Sequence, residues 1–443
     1  MNTKEGVRVV KLSRYNHVFN HPTEPDKHIL CNYRTTALAI INPYQYKQFK
    51  KLADDADFVL DEELKRNLLE GGFILEDDID EYDLMEVDTL RWRYATGNLT
   101  LTIAPTMNCN FRCVYCYEKD SICNVKMTPE IQRGILDFIQ EKTPTIRTLN
   151  ITWYGGEPLL AWDVVIELTH KMQKLCAENQ IEYSSSIITN GYLITEDIAK
   201  QFKDLSINNV QITLDGPKEV HDQRRILADG GGTFDRILEN VKLLTGYTSV
   251  NIRVNIDTEN VSTLENSLFR MFEENGLVDK IHICFGYVDA INQAYTPEKC
   301  LTMENYSKKH LEFLERNNID IMDMYPHPMD NYCGADSTST FVIGPEGNLY
   351  KCWSDIGIES RKVGNVLTGE SGVIHNCLGM QYLLYNPIHD SMCRDCEVLP
   401  LCKGGCPNKR LTGEGKRCSE HKYVIDEYFK TCIRLLIKRR EQK

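Results

Sequence analysis

Apolar and polar positions change rhythm near residue 99. Short apolar or alternating runs at 99–103, 148–153, 183–189, 209–214, 250–256 and 280–285 predict strands. The intervening stretches 129–141, 161–176, 196–205, 234–244 and 264–274 carry apolar residues three and four apart and predict helices. Strands separated by helices predict right-handed βαβ units on a parallel sheet, hence an α/β fold. Periodicity leaves open whether the sheet closes into a full or a partial barrel.

Residues 7–95 read as a module of their own. Runs at 29–31 and 37–41 predict strands, and Pro43 after Asn42 opens a helix-like stretch through Leu52. A second helix over 62–69 stops at Gly71-Gly72, and 73–75 is another short strand. Then eight acids and no base fall within 76–88, a pattern of a solvated linker or helix face. After about Asn331 the alternation gives way to glycines, prolines and cysteines until Lys422, and 424–440 is a helix with a basic end. The expected domains are 1–95, 96–320 and 321–443.

Composition narrows the function. With 443 residues, 42% of them hydrophobic, the chain has material for two or three cored domains. A net charge of −13 argues against nucleic acid or an anionic membrane as partner. The first residues carry no apolar signal core, and no run approaches the ~18 apolar residues of a membrane span, so a soluble cytoplasmic protein is expected. Of 17 cysteines, eight lie in 1–332 and nine in 333–443. In a reducing compartment such clustering points to metal or cluster ligation rather than disulfides.

Cys109, Cys113 and Cys116 follow the first strand of the alternating region in C-x3-C-x2-C spacing. Three thiolates on one tight loop cap three irons of a [4Fe–4S] cube and leave the fourth open to a small molecule. Electron-transfer clusters ordinarily use four cysteines, and zinc favours C-x2-C pairs. Cys123 reads as a spare thiol. Farther on, Cys333 is followed by Gly347 and Cys352, and then by Cys393-x2-Cys396-x5-Cys402-x3-Cys406-x11-Cys418. Spacing alone also fits a zinc ribbon over 393–406.

The first motif, with Tyr115 before its last cysteine, resembles the radical S-adenosylmethionine (SAM) superfamily. In that family the open iron chelates SAM, and one electron cleaves it to a 5′-deoxyadenosyl radical that abstracts a substrate hydrogen. The resemblance extends to Gly155-Gly156-Glu157-Pro158, to Ser186 through Gly191, and to Leu214-Asp215-Gly216-Pro217 with His221 and Arg225 beyond. It implies that Tyr115, Gly155, Gly156, Glu157, Ser186 and Arg225 surround SAM, with Glu157 facing its ammonium and Ser186 and Arg225 its carboxylate. Arg253 and Asn255 alternate on a strand and read either as facing the barrel interior or as a structural polar pair.

The later array resembles the SPASM domain, which houses auxiliary [4Fe–4S] clusters, and the combined likeness spans roughly residues 99–422. It implies a partial (β/α)6 barrel followed by a cysteine-rich domain. Cys333, Cys352 and Cys406 would serve a nearer auxiliary cluster, and Cys393, Cys396, Cys402 and Cys418 an outer one. The nearer set has three members, so its fourth iron is either open to a substrate thiolate or filled by Cys377 or Cys432.

Two subclasses of that family compete. Anaerobic sulfatase maturases oxidise a cysteine or serine to formylglycine; they place an aspartate directly after the cysteine matching Cys352, where this chain has Trp353. Maturases of ribosomally made peptides often add a winged-helix-like module that binds the precursor's leader, and residues 7–95 suit it. An exposed strand there would capture the leader by strand addition. The expected function is therefore a sactipeptide- or ranthipeptide-type maturase that installs a crosslink, first a cysteine thioether, with a carbon–carbon crosslink as the variant. The expected partners are a precursor peptide and an electron donor such as flavodoxin or ferredoxin. A non-catalytic iron–sulfur or zinc scaffold is the contrasting class; it needs no open-iron loop. No catalytic side chain beyond the cofactor ligands is assigned.

Overall fold

The computed structural model describes residues 10–55, 57–263, 267–293, 295–317, 325–326, 329, 331–368 and 376–441. The chain forms two compact units that interleave along the sequence. One comprises 1–92, 318–332 and 385–443; the other comprises 93–317 and 333–384.

The first unit begins with β1 (Val10–Leu12), β2 (Asn16–Asn20), β3 (His28–Asn32) and β4 (Leu38–Ile41). Helices Pro43–Asp54 and Glu62–Glu70 follow, then β5 (Ile74–Glu76) and the start of helix Glu81–Arg93. β2, β3 and β4 make an antiparallel sheet, while β1 pairs with β5. The helix at Pro43 starts where the sequence says it should. The Asn42 side chain accepts from the Gln45 N–H, the Gln45 side chain accepts from the Asn42 N–H, and proline fills a position that needs no donor.

The acidic stretch supplies the first turns of helix Glu81–Arg93, and one of its acids is not solvated. Glu81 is buried and accepts from Ser13 Oγ at 2.7 Å, the Arg14 N–H at 2.8 Å and Arg34 Nε at 3.1 Å. The C-terminal helix His421–Glu441 completes this unit's core. Ile425, Phe429 and Ile433 pack with Tyr15, Phe19, Ile29 and Tyr33, and Tyr33 stacks on Phe429 at 5.0 Å.

The second unit is built on one nine-stranded sheet. β6 (Asn98–Ile103), β7 (Thr148–Trp153), β8 (Glu182–Thr189), β9 (Ile207–Thr213), β10 (Ser249–Ile256) and β11 (His282–Tyr287) lie side by side and parallel. Helices Pro129–Gln140, Trp162–Glu178, Glu196–Gln201, Phe234–Leu244 and Leu268–Glu274 connect them, as periodicity requires. Of the helix expected over 264–274, residues 264–266 lie outside the described residues. The sheet stays open, with β11 at one edge.

Further elements of this unit lie outside the sequence expectations. Helix Met303–Arg316 follows β11, and the short helix Lys218–Arg224 follows the Asp-Gly-Pro turn. β12 (Thr340–Ile343), from the cysteine-rich segment, pairs parallel with β6 on its outer side. β13 (Asn348–Tyr350) and β14 (Gly364–Asn365) extend the sheet antiparallel.

Strand alternation separates the two faces. Val250, Ile252 and Val254 on β10 are fully buried, as are Ile135, Val165, Leu168, Ile237 and Val241 on the helices. Burying each such side chain contributes about 1.5–3 kcal/mol. The opposite face is polar. Asn150 bonds Ser184 at 2.7 Å, Thr152 bonds Ser186 at 3.1 Å, and Asn251 bonds Asn209 at 3.1 Å. A barrel filled for stability carries branched apolar residues inside; this sheet carries polar side chains on that face. Among the described residues no helix is long and apolar enough to cross a membrane.

Candidate active site

The loop carrying Cys109, Cys113 and Cys116 leaves β6 and is stapled to residues 224–228 by backbone hydrogen bonds. The Arg112 N–H reaches Ile226 O at 2.8 Å, Val114 reaches Arg224 O at 3.0 Å, and Ala228 reaches Asn110 O at 2.8 Å. Phe111, 1% exposed, pins the loop from below against Tyr192. Burial pushes the Cys109 and Cys116 thiols up to about 12; Glu157 adds to the shift at Cys109, and Glu118 adds to it at Cys116. Burial likewise raises Cys113, opposed by the Arg225 guanidinium. Three such thiols become thiolates readily only when bound cations replace the lost water. Among the described residues no three His, Cys, Asp or Glu side chains gather tightly enough for a single metal ion. The donor set is all sulfur on one loop, which suits an iron–sulfur cube.

Gly155 and Gly156 are needed by that loop's approach. A Cβ on Gly155, whose φ is +105°, would lie 2.6 Å from Thr106 O, and one on Gly156 would lie 2.3 Å from Asn108 O. The two segments are joined by Gly156 N–H to Thr106 O at 3.2 Å and Glu157 N–H to Asn108 O at 2.8 Å. Glu157 is fully buried, and burial raises its carboxyl pKa against the pull of its hydrogen bonds. Its Oε1 accepts from Thr189 Oγ1 at 2.7 Å and the Leu159 N–H at 3.0 Å, and Oε2 accepts from the Asn190 N–H at 2.8 Å. These bonds tie the ends of β7 and β8 together. Asn190 in turn bonds Asn110 inside the cysteine loop at 2.8 Å. Ser186 lies on the polar face of β8, paired with Thr152.

A buried ionic network stands on the other side of the loop. The Tyr115 hydroxyl donates to Asp215 Oδ2 and accepts from Arg225 Nη1 at 3.0 Å and Asn255 Nδ2 at 3.1 Å. Arg224 reaches Asp257 Oδ2 at 2.7 Å and Asp215 Oδ2 at 3.3 Å, and lies 5.0 Å over the Tyr115 ring. His221 is buried and neutral: Nδ1 accepts from the Asp215 N–H at 3.2 Å, and Nε2 donates to Thr233 Oγ1 at 3.0 Å. Thr233 passes the chain on to Arg225 O at 2.6 Å. Both faces of the imidazole therefore fix the segment that bears Arg225. The Arg225 Nε is buried with no partner among the described residues, a donor left over beside Cys113 for an anion. Asp257 is legible in the sequence as a charge at the end of the apolar strand β10, whereas Arg224 closes the helix Lys218–Arg224 and carries no such signal.

The later cysteines divide between the units. Cys333 and Cys352 belong to the second unit; burial pushes Cys352 up to about 12, with Asp355 and then Cys333 adding to the shift. Trp353 is 41% exposed and tilts over Tyr154 at 5.2 Å. In the first unit, Cys393, Cys396, Cys402 and Cys418 converge: the charges of the other three all act on Cys402, which burial pushes up to about 11. Cys406 is buried in the same unit. Cys432 is sealed in that unit's core beside Cys31, whereas Cys377 is exposed at the start of helix Cys377–Leu384.

A sulfur-bearing loop at the end of an open parallel sheet with a polar inner face is what a radical SAM domain requires. Residues 103–271 match the Radical SAM superfamily model, and this part of the chain is a radical SAM domain. Its cofactors are SAM and a [4Fe–4S] cluster. The chain is 28% identical over 340 residues to a cysteine-type anaerobic sulfatase-maturating enzyme of Clostridium novyi, covering 70% of this chain and 88% of that protein. It is 24% identical over 422 residues to the radical SAM cyclopropyl synthase TigE of Paramaledivibacter caminithermalis, covering 85% and 83%.

Two solved structures share the fold. Native anSMEcpe with bound AdoMet and the Cp18Cys peptide matches with a TM-score of 0.59 at 20% identity, over 78% of this chain and 100% of that one. Streptococcus suis SuiB bound to precursor peptide SuiA matches with a TM-score of 0.54 at 15% identity, over 91% and 97%.

Proposed function

We propose that this chain is a radical SAM maturase that closes an intramolecular crosslink, first a cysteine thioether, in a ribosomally made precursor peptide. One observation carries the reading: the extent of the match. The anSMEcpe fold, though matched over its whole length, accounts for 78% of this chain, whereas SuiB accounts for 91%. The share without counterpart in the former is close to that of the N-terminal strands and helices. Those strands offer edges at β2 and β4 to an extended leader.

When bound, the cluster and SAM supply a carbon radical that takes a hydrogen atom from the peptide. Cys109, Cys113 and Cys116 hold the cube. Arg225, through its spare Nε, and Ser186 on the sheet face would hold the SAM carboxylate, with Glu157 towards its ammonium and Tyr115, Gly155 and Gly156 around it. Cys393, Cys396, Cys402 and Cys418 form the outer auxiliary site, and Cys333, Cys352 and Cys406 the nearer one. With three thiols in that nearer set, a substrate cysteine would supply the fourth. Ring closure removes two hydrogens, one as an atom and the other as a proton plus an electron, which auxiliary clusters held by these cysteines would accept. The electron donor for SAM cleavage is a flavodoxin or ferredoxin.

Trp353 weighs against formylglycine formation. It stands where sulfatase maturases are expected to carry a carboxylate base, and an indole accepts no proton. The similarity to the Clostridium novyi enzyme keeps that reading as the second one. Co-expression with short cysteine-bearing open reading frames beside the gene, followed by mass spectrometry, tests both. A product lighter by two hydrogens, with no alkylatable thiol, supports the thioether. Conversion of a sulfatase peptide's cysteine to an aldehyde overturns it.

A further inference from the structure

Hydrogen-bond donors and a cation converge on the sulfurs of the outer cysteine set. The Ser419 N–H donates to Cys402 Sγ at 3.3 Å, and the Tyr385 hydroxyl lies 4.0 Å from Cys393 Sγ. Helix His421–Glu441 begins just after Cys418, and Lys422 in its first turn reaches back with Nζ to Cys418 Sγ at 3.7 Å. The charge of Asp390 acts on Cys393, but that carboxylate is paired with Lys416.

A lysine is out of place at that position. The N-terminus of a helix carries partial positive charge, so acids stabilise its first turn and a cation opposes the macrodipole. Helices Glu62–Glu70, Glu81–Arg93 and Glu196–Gln201 each carry two acids there. Helix His421–Glu441 carries none, and among the described residues Lys422 makes no ion pair with a carboxylate. The negative charge that this helix start and this ammonium both face is that of the cysteine sulfurs. They favour it most in the reduced form of a cluster, which holds one electron more.

We propose that Lys422 tunes the outer cysteine site to a higher reduction potential, so that the electron released by ring closure comes to rest there. The inference rests on the proposed outer auxiliary site and deepens it. Net charge and hydrogen bonds to sulfur set such potentials, and Lys422 supplies both while touching neither metal nor substrate. One electron enters the site, and no bond of the chain forms or breaks.

The test uses anaerobically reconstituted full-length holoenzyme as wild type, Lys422→Arg, Lys422→Met and Lys422→Glu. Lys422 is exposed, so none of these changes disturbs the core. Iron content and visible absorbance check that the clusters are retained. Dithionite titration at controlled potential, followed by electron paramagnetic resonance, resolves the one-electron waves. Repeating it with SAM marks the wave of the cluster held by Cys109, Cys113 and Cys116.

Lys422→Glu is expected to lower one wave, not the one that SAM marks, by tenfold in the ratio of reduced to oxidised site, which is about 59 mV for one electron. Lys422→Met moves the same wave less far in the same direction, and Lys422→Arg leaves it within twofold of wild type. Every wave within twofold of wild type in both the Met and Glu variants overturns the proposal. So does an Arg variant that shifts as far as the Met variant, since charge is then not the cause. Failure of the underlying reading shows separately, as wild-type holoenzyme with no wave beyond the one that SAM marks.

Discussion

The hydroxyl of Tyr115 donates to the carboxylate of Asp215 across 2.5 Å, and through this bond the cysteine loop is fastened to the turn after β9. The same oxygen accepts from Arg225 and Asn255. Tyr115→Phe keeps the ring but leaves those two donors without an acceptor in a buried place. The expected cost is about 1–3 kcal/mol of stability. Urea unfolding of the variant checks it by a lower midpoint at unchanged slope.

Cys109→Ala removes one of the three thiols proposed to hold the SAM-cleaving cluster. Release of 5′-deoxyadenosine in the presence of SAM and a reductant is expected to fall to background. Iron content is expected to fall only in part, since Cys393, Cys396, Cys402 and Cys418 lie in the other unit. An unchanged release rate would remove Cys109 from the ligand set.

At Gly156 a single methyl group meets the Asn108 carbonyl at 2.3 Å, and backbone cannot step aside as a flexible side chain would. Gly156→Ala is expected to displace the start of the cysteine loop. Such overpacking costs about 1–3 kcal/mol. Iron bound per chain after reconstitution, compared with Gly97→Ala at an open position, measures the effect.

His221 gives the structure a defined acid response. Burial, with Arg225 next in effect, lowers its pKa to about 3. In the unfolded chain the imidazole takes a proton near pH 6.5. The unfolded state therefore binds more protons through the interval between these values, and stability falls as pH drops through it, by about 1.4 kcal/mol per pH unit. His221→Gln, neutral throughout, lacks this slope. Denaturation of the metal-free chain at about pH 7 and about pH 5.5 should show wild type losing more stability than the variant.

Much of the barrel was legible because its strands and helices bury one face each, and that burial writes periods of two and 3.6 into the sequence. Cysteine spacing made the loop legible for a different reason: a cube dictates where thiols must stand along the chain. Neither rule reaches β12, which lies in a glycine- and cysteine-rich stretch and whose partner is β6, far away in sequence. The three hydrogen bonds that Glu157 accepts from Leu159, Thr189 and Asn190 depend on tertiary geometry that no local pattern carries. Arg224 and Arg225 are adjacent in sequence, yet one serves Asp257 and the other Tyr115. Only the fold separates them.

β12 has a consequence for how such enzymes can be taken apart. Phe341 runs beside Leu101 and Ile343 beside Ile103, so the returning strand covers the backbone groups along one side of β6. A fragment ending before residue 333 would leave that row of amides bare, a template on which other chains can polymerise. The cysteine-rich segment is for that reason a seam rather than an appendage, and any graft that transplants the radical-generating half must carry the sealing strand with it.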